Sequence, residues 1–301
     1  MSQTILPKVL TAIVTPFDTT DNIDLTVIIE LIRYQILNEC GVVLFGTTGE
    51  CPTVTNDERA HVYGMVESVF KSNLNNNFVV GVGGNNTKEC CELIEQAQEY
   101  GFKNFMLTTP YYNKPTQQGL QMHFTTIMKK YLNCNFILYN VPGRCGVNLL
   151  PETVKNICYE NTNVYAIKEA SGDLNQFIQI RKLIPDLKLY CGDDGLIVPA
   201  MSIGSYGLIS VISNSYPAYM NNIIMECNIN NYTVAFHLYL KIHDMIKLLF
   251  SETSPSPIKF LLQYMGLIST DVVRLPLVQI QNKESMEKII KIHLENKELN
   301  N

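Results

Sequence analysis

LTVIIELIRYQILNECGVVLF, residues 25–45, contains the two patterns that decide the fold. Its first half repeats apolar residues at spacings of three and four, which predicts an amphipathic helix with Asp24 as N-cap and Gly41 just past its end. Its second half, Val42–Phe45, is a short β-branched and apolar run, which is typical of a buried strand. The stretch therefore predicts one helix followed by one strand.

Similar runs recur along the chain, and most are separated by segments of helical periodicity. Thr55 to Glu58 spell a capping box, and Pro151 suits a first helical turn. Alternating strands and helices predict a parallel sheet, either closed or doubly wound, and eight units in a continuous array favour an α/β fold of the (β/α)8 TIM-barrel type. The eight runs are Leu10–Val14, Val42–Phe45, Phe78–Val82, Asn104–Thr108, Phe136–Tyr139, Val164–Ile167, Leu187–Cys191 and Tyr206–Ser210.

The chain changes character after about Pro217, where helical segments follow and no strand is predicted. We therefore expect a barrel catalytic domain over residues 1–226. Residues 227–301 should form a small C-terminal helical domain packed on the barrel, because no Gly/Ser-rich linker separates the two parts.

Composition narrows the classes of function. The 301 residues are 46% hydrophobic and carry a net charge of −5, so neither nucleic acid nor an anionic membrane is an expected partner. Nine cysteines without CxxC spacing fit a reducing compartment. With no signal-peptide pattern and no long apolar stretch, we expect a cytoplasmic protein.

The active site of such a barrel lies at the carboxyl ends of the strands. None of the five histidines falls at a predicted strand end, so neither a metal site nor a Ser-His-Asp triad is predicted. Asp193-Asp194 is one acidic pair, for which solvation or helix capping is the favoured role. The glycines of Gly81–Asn85 lack the complete dinucleotide fingerprint and fit a tight turn better, so no nucleotide cofactor is predicted.

Lys168 is the exception, because it directly follows the apolar strand residues Val164–Ile167. Burial at a barrel mouth disfavours an ammonium ion and favours the free amine that attacks a carbonyl group. The alternatives are an ion pair with Glu50 or Glu169, or an extended side chain in solvent. Tyr139 ends the neighbouring strand and offers a phenol for proton transfer. Thr47 and Thr48 offer a hydroxyl and backbone N–H groups for a carboxylate, so the set indicates imine chemistry on a keto acid.

At these residues the chain resembles the pyruvate-dependent class I aldolase family, which includes dihydrodipicolinate synthase and N-acetylneuraminate lyase. The resemblance covers essentially the whole chain. Its motifs, in order, are LTAIVTPF, GTTGE, TPYYNKPTQQGL, LYNVPGR, IKEASGD, CGDD, GLISV, SPSPIKF and RLPL.

The resemblance implies roles for individual residues. Lys168 matches the Schiff-base lysine, and Tyr139, Thr47 and Tyr112 match a proton relay in which Tyr112 comes from a neighbouring subunit. Thr48 matches a residue whose backbone binds the pyruvate carboxylate. The carbonyl groups of Gly192 and Ile209 are expected to line the site. The family expectation is a homotetramer made of two tight dimers, with no metal or organic cofactor.

Arg144 separates the branches of the family. In the synthase branch, an arginine at this position holds the carboxylate of L-aspartate semialdehyde, and a guanidinium fits a carboxylate with two hydrogen bonds. Threonine at position 47 also favours the synthase, which condenses pyruvate with aspartate semialdehyde in diaminopimelate and lysine synthesis. The alternatives are N-acetylneuraminate lyase or another sugar-acid aldolase of the family, and a barrel that binds keto acids without turnover.

Some family members are inhibited by lysine at a second site between subunits. Asn85, Glu89 and Tyr111 match that site, whereas Asn56 and Arg59 occupy positions where sensitive members often carry histidine. The fixed charge of Arg59 should repel the ammonium group of lysine. We therefore expect weak or absent lysine inhibition.

Overall fold

The computed structural model describes residues 5–295 and contains a closed parallel barrel. Each strand pairs with the next along the chain, and the eighth pairs with the first, as Val9 does with Leu208. The predicted fold class, a (β/α)8 barrel, is therefore confirmed. The strands are β1 Val9–Ala12, β2 Gly41–Leu44, β3 Phe78–Gly81, β4 Asn104–Thr108, β5 Asn135–Asn140, β6 Val164–Glu169, β7 Lys188–Cys191 and β8 Gly207–Ser210.

Helices surround the barrel and continue beyond it. Within residues 5–295 they are α1 Leu25–Leu37, α2 Asn56–Phe70, α3 Leu74–Asn77, α4 Thr87–Glu99, α5 Gln117–Lys130, α6 Pro142–Cys145, α7 Pro151–Glu160, α8 Leu174–Leu183, α9 Ile197–Ser202, α10 Pro217–Asn228, α11 Tyr232–Leu249, α12 Ser256–Tyr264 and α13 Lys283–Glu295. None of these described helices has the length and apolar character needed to cross a membrane.

Two buried layers form because strand side chains alternate between opposite faces. One set fills the inside of the barrel and includes Leu10, Val43, Met106 and Ile137. The larger set packs the outer faces of the strands against the helices. This arrangement leaves the carboxyl ends of the strands as the place where polar side chains can gather.

The capping predictions were confirmed, with one correction. Asp24 accepts a hydrogen bond from Val27 N, and Thr55 and Glu58 form the complete capping box of α2. Gly41, however, does not follow the end of α1 but begins β2. Glu39 takes the left-handed position after the helix, with φ of 60°. Gly41 is needed instead because a Cβ there would lie 2.9 Å from the backbone oxygen of Asn77 and 2.5 Å from Leu10 Cδ2.

The C-terminal region contacts the barrel at its carboxyl end. Tyr239 Oη in α11 donates a hydrogen bond to Gly195 O, and Thr270 Oγ1 donates one to Phe17 O. The boundary predicted between residues 226 and 227 falls near the end of α10 and stays a prediction.

Candidate active site

A cavity of about 240 Å³ opens at the carboxyl ends of the strands. This is the end at which barrel enzymes carry their chemistry. Six of the residues predicted for the site line it together: Thr47, Thr48, Tyr139, Arg144, Lys168 and Gly192. The other lining residues are Ala12, Gly46, Met106, Val141, Ala170, Asp193, Val211, Phe250 and Ser254.

Lys168 lies in β6 with its residue surface only 6% exposed. Its Nζ is 4.2 Å from the centroid of the Tyr139 ring. Among the described residues it has neither a hydrogen bond nor an ion pair, because both candidate partners are engaged elsewhere. Glu50 pairs with Lys259, and Glu169 accepts hydrogen bonds from neutral groups. The ion-pair alternative for Lys168 is therefore not realised, and its amine faces the cavity next to a phenol ring.

Neighbouring strands set the position of Tyr139 relative to Lys168. The two residues are register partners in β5 and β6. Behind them, Asn140 Nδ2 donates to Glu169 Oε2 at 3.0 Å, and Gln176 Nε2 donates to the same oxygen at 2.8 Å. The backbone N–H of Ser171 donates to Glu169 Oε1 at 2.7 Å. A buried carboxylate needs such donors, and these bonds tie the ends of β5 and β6 together.

Gly192 leaves room for the Lys168 side chain. A Cβ built on Gly192 would lie 2.9 Å from Lys168 Cε and 2.6 Å from Ala170 Cβ. The Gly192 N–H donates to Glu169 O at 2.8 Å, which holds the backbone close to β6. The predicted glycine is thus part of the wall against which the lysine lies.

Residues 46–50, which we call the Thr47 loop, connect β2 to the cavity. Phe45 and Glu50, on either side of its glycines and threonines, both have left-handed backbones, with φ of 51° and 53°. Two turn hydrogen bonds close the loop, from Gly49 N to Gly46 O and from Glu50 N to Thr47 O, each of 3.1 Å. This tight turn places Thr47 and Thr48 against the same cavity as Lys168.

Arg144 lies in the short helix α6 directly after β5. It is exposed and has no ion pair within the described part of the chain, so its guanidinium is available to a ligand at the cavity rim. The alternative of a loop salt bridge is not realised in residues 5–295.

Ile209 and Tyr112 are not among the residues that line the cavity. Ile209 in β8 is buried in the inner layer. Tyr112 is 89% exposed and has a left-handed backbone with φ of 69°. A single chain therefore does not bring Tyr112 to Lys168, and the proposed roles of both residues stay predictions.

The residues matched to a lysine site lie beyond the cavity. Asn85 Nδ2 donates to Tyr111 O at 3.3 Å, and Glu89 is exposed in the first turn of α4. Arg59 is only 4% exposed, lies 4.7 Å from the centroid of the Phe45 ring, and donates to Cys51 O. Its charge has no carboxylate partner within residues 5–295.

The environment of Asp194 differs from the one predicted for the acidic pair. It is 1% exposed rather than solvated, and it accepts hydrogen bonds from Ser210 Oγ and Val211 N. Burial raises the pKa of Asp194 to about 6, although these hydrogen bonds oppose the rise. Asp193 has the predicted capping role, since it accepts a hydrogen bond from Gly195 N. Asp194 thus links the segment after β7 to the end of β8.

Sequence reasoning missed Phe250 and Ser254, which line the cavity from the segment between α11 and α12. Attention to strand ends alone could not find them. Ser254 does begin the SPSPIKF motif, which was the available signal.

A (β/α)8 barrel with an unpaired lysine amine beside a tyrosine ring at its carboxyl end is an arrangement suited to Schiff-base aldolases. The chain belongs to the Dihydrodipicolinate synthetase family, whose profile matches residues 6–293. The family resemblance predicted from the motifs is confirmed.

Individual relatives are similar over nearly their whole length. The 4-hydroxy-tetrahydrodipicolinate synthase of Desulforamulus reducens is 37% identical over 287 residues, which cover 94% of this chain and 95% of that protein. The crystal structure of dihydrodipicolinate synthase from Thermotoga maritima has a TM-score of 0.90 and 36% identity, covering 96% of this chain and 99% of that one. The enzyme from Cyanidioschyzon merolae, solved with lysine bound, has a TM-score of 0.90 and 33% identity, covering 97% and 99%.

Proposed function

We propose that this chain is a lyase that condenses pyruvate with L-aspartate semialdehyde to give 4-hydroxy-tetrahydrodipicolinate. This is the first committed reaction of diaminopimelate and lysine synthesis. The observation that carries the proposal is the Lys168 amine, which faces a small cavity beside Tyr139 and has no ionic partner among the described residues. The names of the relatives favour this synthase activity over the alternative N-acetylneuraminate lyase.

The first half of the reaction forms a covalent enamine. Lys168 Nζ attacks the ketone carbon of pyruvate, and loss of water from the carbinolamine leaves an imine. Tyr139 and Thr47 supply and remove the protons that these steps require. The imine then loses a methyl proton to the same relay, and the pair of electrons from that C–H bond forms the enamine. No metal or organic cofactor is required, because the protonated imine nitrogen accepts those electrons.

The second half forms the carbon–carbon bond and frees the lysine. The enamine carbon attacks the aldehyde of aspartate semialdehyde, and the new alkoxide takes a proton. The amino group of the second substrate then replaces Lys168 at the imine carbon, which closes the ring and releases the amine. In this scheme Thr48 holds the pyruvate carboxylate through its backbone, and Arg144 holds the carboxylate of the aldehyde substrate.

Aldehyde specificity distinguishes the two branches of the family. We expect turnover in a coupled assay with pyruvate and aspartate semialdehyde, and no release of pyruvate from N-acetylneuraminate. Arg144 supports this choice, because it presents a guanidinium at the rim. The reverse result, cleavage of N-acetylneuraminate without condensation, would overturn the synthase proposal while leaving the imine mechanism in place.

Tyr112 supports a site shared between subunits of a homotetramer. Its exposed position and strained backbone suit a side chain that completes the active site of a neighbouring copy. Mixing the two inactive variants Lys168→Ala and Tyr112→Phe should then restore activity, because mixed dimers contain one intact site. Random pairing predicts recovery of about a quarter of the wild-type activity. No recovery after verified subunit exchange would assign Tyr112 to the site of its own chain, and a fully active Tyr112→Phe variant would leave Tyr112 without a catalytic role.

A further inference from the structure

The C-terminal helical region reaches the Thr47 loop through one buried ion pair. Lys259 Nζ in α12 lies 2.5 Å from Glu50 Oε1, and the side chains of Lys259 and Glu50 are 0% and 1% exposed. The second oxygen, Glu50 Oε2, accepts a hydrogen bond of 2.9 Å from Arg274 N. Lys259 Nζ also donates to Val272 O at 2.8 Å. The last residue of the loop is thus held by groups more than 200 positions away in the chain.

Such an ion pair is better explained by its fixing the position of the loop than by a contribution to the free energy of folding. Burying two charges has a desolvation cost that their attraction often only offsets. Two apolar side chains of similar size could occupy the same interior without that cost. The loop needs an external anchor, because Phe45 and Glu50 both hold left-handed backbones without being glycine. Conformations of this kind persist only where the surroundings impose them.

The ion pair is linked to Thr47 by a single further hydrogen bond. Glu50 N donates to Thr47 O, and Thr15 Oγ1 donates to Gly49 O at 2.7 Å. We propose that Glu50 and Lys259 are positioning residues that set where Thr47 and Thr48 meet pyruvate. This inference rests on the proposed function, which assigns those threonines to pyruvate. Neither Glu50 nor Lys259 lines the cavity itself.

The charge state of Lys259 adds a pH dependence. The charged groups that face it are Glu50, Arg274 and Asp21, and its Nζ is 4.1 Å from the centroid of the Phe17 ring. Burial lowers the pKa of Lys259 to about 8, although the Glu50 carboxylate opposes this effect. As the pH rises through this value, the ammonium is lost and Glu50 is held less firmly. Pyruvate binding should then weaken relative to aldehyde binding.

The test uses the full-length variants Lys259→Met and Glu50→Gln. Three quantities are measured: KM for pyruvate, KM for aspartate semialdehyde, and the rate at which pyruvate methyl hydrogens exchange with deuterium when no aldehyde is present. We expect KM for pyruvate to rise and exchange to slow by about 10-fold or more, as for misplaced catalytic groups. KM for the aldehyde should change less than about 2-fold, because Arg144 follows a different strand.

Lys283→Met is the matched control. It breaks the Lys283–Asp271 pair of 3.0 Å in the same C-terminal region, and neither partner belongs to the Thr47 loop. It should lower the melting temperature without changing either KM. Equal changes in both KM values for Lys259→Met, or none, would overturn the inference.

Two further outcomes remain decisive. If Lys259→Met fails to fold, the KM values and exchange rate of Glu50→Gln decide the test. If neither variant folds, the pH dependence of the wild type decides it, and a pyruvate KM that stays constant between about pH 7 and 9 overturns the inference. The wild type is first treated with pyruvate and borohydride. Absence of an adduct there contradicts the proposed function, whereas an adduct together with unaffected variants contradicts only the positioning role.

Discussion

Gly192→Ala tests whether the space next to Lys168 matters for imine formation. The new methyl group would lie 2.9 Å from Lys168 Cε and 2.6 Å from Ala170 Cβ, whereas ordinary contact begins at 3.4 Å. To reach ordinary contact distance, Lys168 Cε would have to move by about 0.5 Å and Ala170 Cβ by about 0.8 Å. Displacement of a reacting group by up to 1 Å can slow a reaction by about 100-fold, and overpacking costs about 1–3 kcal/mol in stability.

The assay is the rate at which pyruvate and borohydride add mass to the protein, measured by rapid quench and mass spectrometry. Gly143→Ala is the matched control, since a Cβ at Gly143 meets no atom within 4 Å and the residue lies beside Arg144. We expect the control to trap pyruvate at the wild-type rate and Gly192→Ala to trap it between about 10- and 100-fold more slowly. A folded Gly192→Ala variant that reacts at the wild-type rate would refute the packing argument.

Three other predictions concern charge. Arg144→Ala should raise KM for aspartate semialdehyde by about 10- to 100-fold and leave KM for pyruvate unchanged, since a charged hydrogen bond contributes about 1.5–3 kcal/mol; equal effects on both substrates would contradict the assignment. Lysine at low millimolar concentration should inhibit weakly or not at all, because the positive charge of Arg59 should repel its ammonium group, and a normal inhibition curve would show this to be wrong. Hydrogen bonds from Arg274 lower the pKa of Glu58 from 4.5 to about 2. The stability that this interaction contributes is therefore present above pH 4.5 and lost as the pH falls towards 2. In urea titrations at a series of pH values, the free energy of unfolding of Glu58→Gln should fall less on acidification than that of the wild type. An identical dependence on pH for the two proteins would exclude this contribution.

The barrel could be predicted because its signals are local. Each strand is a short apolar run bounded by turn residues, and eight such runs admit few arrangements in a parallel sheet. The same regularity places Lys168 and Tyr139 on adjacent strand ends, so their proximity follows from order along the chain. Thr47 could be found for the same reason, because it follows the end of a strand, whereas Arg144 was indicated only by the family resemblance.

What could not be predicted depends on contacts between distant segments. Phe250 reaches the cavity only because α11 packs against the barrel, and no periodicity within its own segment indicates this. The partner of Glu50 is Lys259, and nothing near either residue in the sequence identifies the other. For Asp194 the sequence indicates solvation or helix capping, whereas its burial depends on the Ser210 hydroxyl of the next strand.

Reductive trapping shows whether the Lys168 amine captures a keto acid covalently. Wild-type protein is incubated with pyruvate and borohydride, and its intact mass and peptides are analysed beside those of Lys168→Ala. We expect one pyruvate-derived adduct per chain, located on Lys168 and absent from the variant. An unmodified wild type, or an adduct on a different lysine such as Lys259, would contradict it.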